Sequence, residues 1–330
     1  MLPPRLKIER ILCPTDYSSF STRALERAVR LARWFEARIT VLHVIPRTHL
    51  FVPADMGIPS VVVPADLLRA QRQDEAEALE QFVAPFRGEG LSIATCLADG
   101  DPAHRIEVAA DEILADLVVM GTHGRGGFER FVLGSVAEKV LRQVSCPVLI
   151  VGNDPTPERA TLFRRILCAV DLGESSYRTL EVALSVAGEN MARVTLLHVL
   201  EGLPGPSEAA RFRGLPDLGL LRQEIVDEAE ARLARCVPGS ARELFSVTER
   251  VEEGAPWRKV LQIAAETDAE LIVMGAHAKH AAFGSTVGRV VRRACCPVLV
   301  VRPTRARPAL PREVYTARAG VSRPAETAVR

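Results

Sequence analysis

Apolar residues along this chain fall into short continuous runs, and between the runs they recur at helical spacing. Ile8 to Pro14 reads as a short strand that is apolar on both faces. Ser18 to Phe35 follows as a helix, with Leu25, Val29, Ala32 and Trp34 or Phe35 on one side. Arg38 to Ile45 is rich in β-branched residues and reads as a second strand. A Pro- and Val-rich stretch, Pro46 to Pro64, looks like a loop or lid, and Ala65 to Arg87 is a long charged helix. Leu91 to Leu97 is a third strand. Asp101-Pro102 then opens a helix to about Leu114, with Asp101 as N-cap and Pro102 in the first position. Leu117 to Met120 is a fourth strand, Ser135 is expected to cap a helix ending near Val144, and Val148 to Val151 is a fifth strand. Alternating strands and helices predict an α/β fold: an open, mostly parallel sheet with helices on both faces. Runs such as LVVM fit strands covered on both sides.

The pattern then starts again. RILCPTDYSS near the start returns as RILCAVDLGE, so that Cys13, Asp16 and His43 fall on Cys168, Asp171 and His198. ADLVVMGTHG from Ala115 returns as AELIVMGAHA from Ala269, and CPVLIV from Cys146 returns as CPVLVV from Cys296. A period of about half the chain is too long for a solenoid, whose units run to roughly 20–50 residues. The reading is two tandem domains: residues 1–152, a linker at 153–162, residues 163–303, and a tail at 304–330. From Arg302 onward there are seven arginines and two glutamates among many Pro and Ala, which predicts a basic, disordered, solvated tail.

Composition narrows the function. Forty-two basic and 41 acidic residues leave a net charge of +1, which gives no reason to invoke nucleic acid or an anionic membrane. No apolar run approaches the roughly 20 residues of a spanning helix, and the first ten residues lack a signal-like apolar core. The expected compartment is the cytosol. The seven cysteines show no C-x-x-C and no zinc or disulfide spacing, and Cys13 and Cys168 read as small buried hydrophobes.

The chemistry concentrates in Met120 to Val140, which leaves the carboxyl end of the fourth strand and enters a helix. Gly121, Gly124, Gly126 and Gly127 allow the backbone to approach a ligand closely, and successive N–H groups there can form an anion nest. Gly134-Ser135 adds a helix N-terminus and a hydroxyl. Together these predict a polyphosphate receptor. It is not a P-loop, because the Lys and the following Ser/Thr are missing. Nor is it a dinucleotide fingerprint, because the glycines follow the fourth strand and not the first. Asp16 stands just past a strand end, where a carboxylate can accept from ribose hydroxyls or cap the following helix. His43 and His198 occupy matching strand ends, and their repetition favours a structural role over catalysis. His123 and His277 also match, which favours local hydrogen bonding, with His123 kept as a phosphate contact. No His/Cys/Asp cluster has metal spacing.

Gly121-x-x-Gly124, nine residues, then Gly134-Ser135, together with ILCPTDYS at the first strand and a final PVLIV, resembles the universal stress protein family. The resemblance spans roughly residues 8–152 and 163–302. It implies two tandem Rossmann-like (HUP-type) domains, each with five strands in the order 3-2-1-4-5. In the ATP-binding branch it would place Pro14, Thr15 and Asp16 beside adenine and ribose, with Val44 meeting adenine through its backbone. Met120 and Gly121 would flank the ribose, and Gly124, Gly134 and Ser135 would hold the phosphates, with Mg²⁺ or Mn²⁺. His123, Arg125, Gly126, Gly127 and Val136 complete the candidate set. The second copy departs from the pattern: Gly124 becomes Ala278, Pro14 becomes Ala169, and Gly275 to Gly284 is four residues shorter than Gly121 to Gly134. ATP is therefore expected in the first domain only. The resemblance implies a nucleotide-responsive regulator in the stress response, with an unknown protein partner, pairing of the last strands within one chain, and a homodimer as a further option. A slow ATPase and a ligand-free scaffold are the rival readings.

Overall fold

The computed structural model describes residues 8–46, 65–122, 133–152, 163–173, 175–187, 192–202, 218–276 and 286–302. In the first half these form β1 (Arg10–Thr15), α1 (Ser19–Phe35), β2 (Arg38–Ile45), α2 (Ala65–Val83), β3 (Ile93–Asp99), α3 (Pro102–Glu112), β4 (Leu117–Gly121), α4 (Ser135–Gln143) and β5 (Val148–Val151). The second half gives β6 (Arg165–Val170), α5 (Ser175–Ala187), β7 (Arg193–Leu200), α6 (Leu218–Cys236), α7 (Gly239–Leu244), β8 (Ser246–Glu253), α8 (Pro256–Glu266), β9 (Leu271–Gly275), α9 (Thr286–Arg293) and β10 (Val298–Val301). The predicted lid beyond Pro46, the linker and the tail beyond Arg302 lie outside the described residues.

The ten strands among the described residues join one sheet, ordered β3-β2-β1-β4-β5-β10-β9-β6-β7-β8. Within each half every pairing is parallel, and the strand order is the expected 3-2-1-4-5. The halves meet where β5 and β10 pair antiparallel, Leu149 opposite Leu299. This removes two open edges. At the outer edge β3, Arg87 donates to the Ile93 carbonyl at 3.0 Å and Arg72 to that of Leu97 at 3.4 Å. The opposite edge, β8, reads SVTERVEE, with charges that discourage further pairing.

Helices cover both faces because each strand alternates its side chains between two cores. Ile11, Cys13, Ile39, Val119 and Leu149 pack with α1 and α2, and the same cluster continues through Leu299 into α5 and α6. Leu12, Val44, Val118, Met120 and Ile150 pack on the other side with α3 and α4, continuing into α8 and α9. Each core therefore spans both halves. Leu25 and Leu31 of α1 are fully buried, worth about 1.5–3 kcal/mol each. Across the seam, Arg302 at the end of β10 donates to the carbonyls of Leu141 and Arg142 that end α4. Arg27 of α1 lies 5.2 Å from the ring of Phe163, just before β6.

Both halves repeat one clamp at the start of the sheet. The Asp116 carboxylate accepts from the N–H groups of Glu9 and Arg10 (2.9 and 3.0 Å) and ion-pairs with the Arg10 guanidinium. Glu270 does the same for Arg164 and Arg165. The buried thiols agree with the sequence reading: burial pushes Cys13 up to about 12, and burial with the neighbouring Cys236 raises Cys168 as well, so neither carries useful thiolate at neutral pH.

Candidate functional site

In the first half, β1 leads into α1 on one face of the sheet, while β4 leads toward α4 on the other. The carboxyl ends of β1 and β4 are neighbours, so the chain leaves in opposite directions and opens a crevice between them. The described members of the candidate set converge on this edge. Pro14 and Thr15 end β1 and Asp16 follows it, Val44 lies one residue before the end of β2, Met120 and Gly121 end β4, and Gly134 leads into α4 with Ser135 and Val136 as its first residues. Val44 and Met120 belong to the α3/α4 core, on the side from which α4 enters. His123, Gly124, Arg125, Gly126 and Gly127 lie outside the described residues.

The turn after β1 is built from interlocking polar bonds. Thr15 is buried, and its hydroxyl donates to Ser21 Oγ at 3.0 Å while accepting from the Tyr17 N–H at 3.0 Å. Its side chain is thus occupied on the α1 side, which leaves Thr15 a holder of the turn. Tyr17 adopts the left-handed region at φ 64°. The Asp16 carboxylate accepts from the Ser18 N–H at 3.1 Å, an Asx turn. The N-cap of α1 is Ser18, whose hydroxyl accepts from the Ser21 N–H at 3.2 Å. The capping role considered for Asp16 is corrected accordingly: the carboxylate shapes the turn and sits one step before the cap.

His43 is structural in this fold. Its Nδ1 lies 2.8 Å from the Thr15 carbonyl, which can only accept, so Nδ1 carries the proton. The Tyr17 ring stacks on the imidazole, with centroids 4.4 Å apart, and Glu75 of α2 lies 3.6 Å from Nε2. His198 repeats the bond, Nδ1 to the Val170 carbonyl at 3.0 Å. The same contact in both halves locks the second strand of each unit to the end of the first.

The residues that flank the glycine-rich segment are tied together. The Thr122 N–H donates to the Val151 carbonyl at 3.1 Å, and the Gly134 N–H donates to the Thr122 carbonyl at 2.8 Å. Leu133 is buried. The cap of α4 is Gly134, with Ser135 as the first helical residue, a shift of one from the expected Ser135 cap. The reason is that Gly134 already has extended geometry and its carbonyl accepts the first helical bond, from Glu138 at 3.0 Å. The N–H groups of Ser135, Val136 and Ala137 precede that bond and are the donors a helix start leaves over. Ser135 is exposed.

Gly121 has a steric cause that the sequence did not disclose. A Cβ there would stand 2.9 Å from the Phe20 carbonyl carbon and 2.9 Å from its Cβ. The first turn of α1 crosses β4 at this point, so only glycine fits. Sequence reasoning also missed the rim beside the crevice. A cavity of about 540 Å³ is lined by Pro46, Asp99, Gly100, Asp101, Pro102, His104 and Arg105, at the ends of β2 and β3. Its signal was the Asp99-Gly100-Asp101-Pro102 run, where Gly100 takes φ 136°. Asp101 caps α3, as expected. The His104 N–H first, then Lys139 at 3.4 Å, hold its carboxyl below the ordinary range.

The second half keeps the frame and changes the contents. Leu172 repeats the left-handed turn at φ 60°. Val170 replaces Thr15, and Ser176, in the place of Ser21, turns its hydroxyl onto Asp171 at 3.0 Å. Asp171 Oδ1 also accepts from Gly173 at 3.0 Å. Ala255 replaces the Asp101 cap, with no side-chain bond. His277, Ala278, Gly284 and Ser285 lie outside the described residues. Among the described residues no group of His, Cys, Asp and Glu could hold a metal ion, and no helix is long and apolar enough to cross a membrane.

Comparison with known proteins gives one consistent picture. The family model described as universal stress protein family matches residues 7–152 and again 162–302. A universal stress protein of Mycolicibacterium smegmatis is 30% identical over 309 residues, covering 89% of this chain and 97% of that protein. A universal stress protein of Methanocaldococcus jannaschii is 34% identical over 146 residues, covering 43% of this chain and 81% of that protein. Among solved structures, a universal stress protein from Archaeoglobus fulgidus superposes with a TM-score of 0.62 at 25% identity, covering 91% of this chain and 98% of the other.

Proposed function

Since the chain belongs to the universal stress protein family, as two such units in tandem, we propose that its first half binds ATP and acts as a cytosolic, nucleotide-responsive regulator of the stress response. The observation that carries this reading is the convergence, at one strand-end crevice, of the Asp16 turn, the Val44 backbone, Gly121 and the start of α4. Leftover N–H donors and the positive helix end favour a polyphosphate there. Asp16, just past the strand end, suits ribose hydroxyls, and the apolar flank of Val44 and Met120 suits a base. The glycine segment from Gly124 to Gly127 would supply further main-chain donors, with Mg²⁺ or Mn²⁺ carried by the phosphates. When bound, that ion would neutralise phosphate charge. The described residues would contribute donors and shape, which is what binding requires. Binding would order the loop and change a surface that a partner reads.

The second half is proposed to bind nucleotide weakly or not at all. Its loop is shorter, a glycine has become Ala278, and the Asp171 carboxylate already accepts from the Ser176 hydroxyl. Native mass spectrometry of the purified protein tests the proposal. ATP or another nucleoside polyphosphate should co-purify at one per chain and be lost on Gly124→Val in protein that still melts cooperatively. Protein that carries nothing and gains no thermal stability in excess ATP–Mg would reject it.

A further inference from the structure

Among the described residues, the two units differ sharply in the charge carried by α8 and α9 and by their counterparts α3 and α4. In the first unit, residues 101–112 and 136–143 carry five carboxylates and three bases; the matching residues 255–266 and 286–293 carry one carboxylate and five bases. The losses fall on the acids that make ion pairs in the first unit. Lys139 pairs with Asp101 at 3.4 Å and Arg142 with Glu138 at 2.7 Å. Their counterparts, Ala255 and Gly288, cannot pair, while Gln143 has become Arg293 and His104 has become Arg258.

The surplus cations are gathered around one ring. Ala103, buried in the first unit, is replaced by Trp257, which is half-buried against the α8/α9 core. The guanidiniums of Arg258, Arg289 and Arg293 lie 5.2, 5.5 and 5.1 Å from the indole centroid. All three are exposed. Cation–π contact offsets part of the repulsion between them, and it holds three planar donor forks in place on the surface. Among the described residues no carboxylate ion-pairs with them.

We infer that this Trp257-centred arginine cluster is a docking surface for an acidic peptide segment of a partner protein. Arginine forks match carboxylates, and arginine and tryptophan are both enriched among the residues that carry most of the binding energy in protein interfaces. Arg289 and Arg293 are one turn apart in α9, about 6 Å along its axis. Side chains on one side of an extended peptide recur at nearly the same interval, about 6.6 Å. Nucleic acid fits less well. Three guanidiniums already lie within 5.5 Å of the indole and compete with a base for it, and the chain as a whole carries only +1.

The test is fluorescence anisotropy of a labelled short polyglutamate peptide titrated with the full chain. Saturable binding is expected, falling as salt rises and weakening by about tenfold or more in Arg289→Ala/Arg293→Ala. Arg69→Ala, a substitution at an exposed arginine of the first unit, should leave it unchanged. Unaltered melting of the double variant would show that the fold is intact. Absence of saturable binding, equal binding by the double variant, or tighter binding of a single-stranded oligothymidylate of the same formal charge would overturn the inference.

Discussion

Leu299→Asp is expected to destabilise both halves of the protein at once, and severely. Leu299 sits in the central seam directly opposite Leu149, and the two are 2% and 1% exposed. A carboxylate there would be buried against leucine with no donor facing it. Such substitutions cost upward of about 4 kcal/mol, a large share of the roughly 5–15 kcal/mol that holds a domain together. The loss is shared because one apolar cluster runs from Leu25 of α1 through Leu149 and Leu299 to Leu180 of α5. Leu299→Ala provides the graded version, at about 2–5 kcal/mol. Urea unfolding followed by probes in each half should show both transitions moving together. If only the second half moved, the shared core described here would be wrong.

The second large effect is a contrast between two glycines at matching positions. Gly121→Ala should cost about 1–3 kcal/mol, the range for forcing a methyl into packed structure, because the new carbon meets the backbone of Phe20 at 2.9 Å. Backbone cannot step aside without moving the first turn of α1. Gly275→Ala should cost clearly less. There the close atom is Thr179 Oγ1 at 2.9 Å, the end of a side chain that can rotate, giving up its 2.9 Å bond to the Ser175 carbonyl. Thermal melting of the two variants side by side checks the order. Equal losses would mean that the crossing of α1 over β4 is not what demands glycine.

Much of this fold was legible in the sequence because the strands are apolar on both faces and the helices are not. β2 and β5 begin and end where the pattern places them, Arg38–Ile45 and Val148–Val151. The Asp101-Pro102 helix start was equally readable, since a cap and a first-turn proline are local chemistry. Misplacements arose where two residues compete for one role. Asp16 and Ser18 both can cap, and the left-handed turn at Tyr17 hands the cap to Ser18. Gly134 and Ser135 both can start α4, and the extended geometry of Gly134 decides it. The steric reason for Gly121 could not be read from sequence at all, because it depends on a helix crossing a strand about a hundred residues away in the chain. At the candidate site, the sequence pointed to the glycine spacing, most of which lies outside the described residues, while the Thr15–Ser21 bond, the Tyr17–His43 stack and the cavity beside Asp101 are products of tertiary packing.

Isothermal titration of the intact chain with ATP–Mg addresses the main claim most directly. The account predicts one binding event per chain, weakened in Asp16→Ala and untouched in Asp171→Ala. Two equal sites, or a single site that disappears with Asp171→Ala and survives Asp16→Ala, would contradict it.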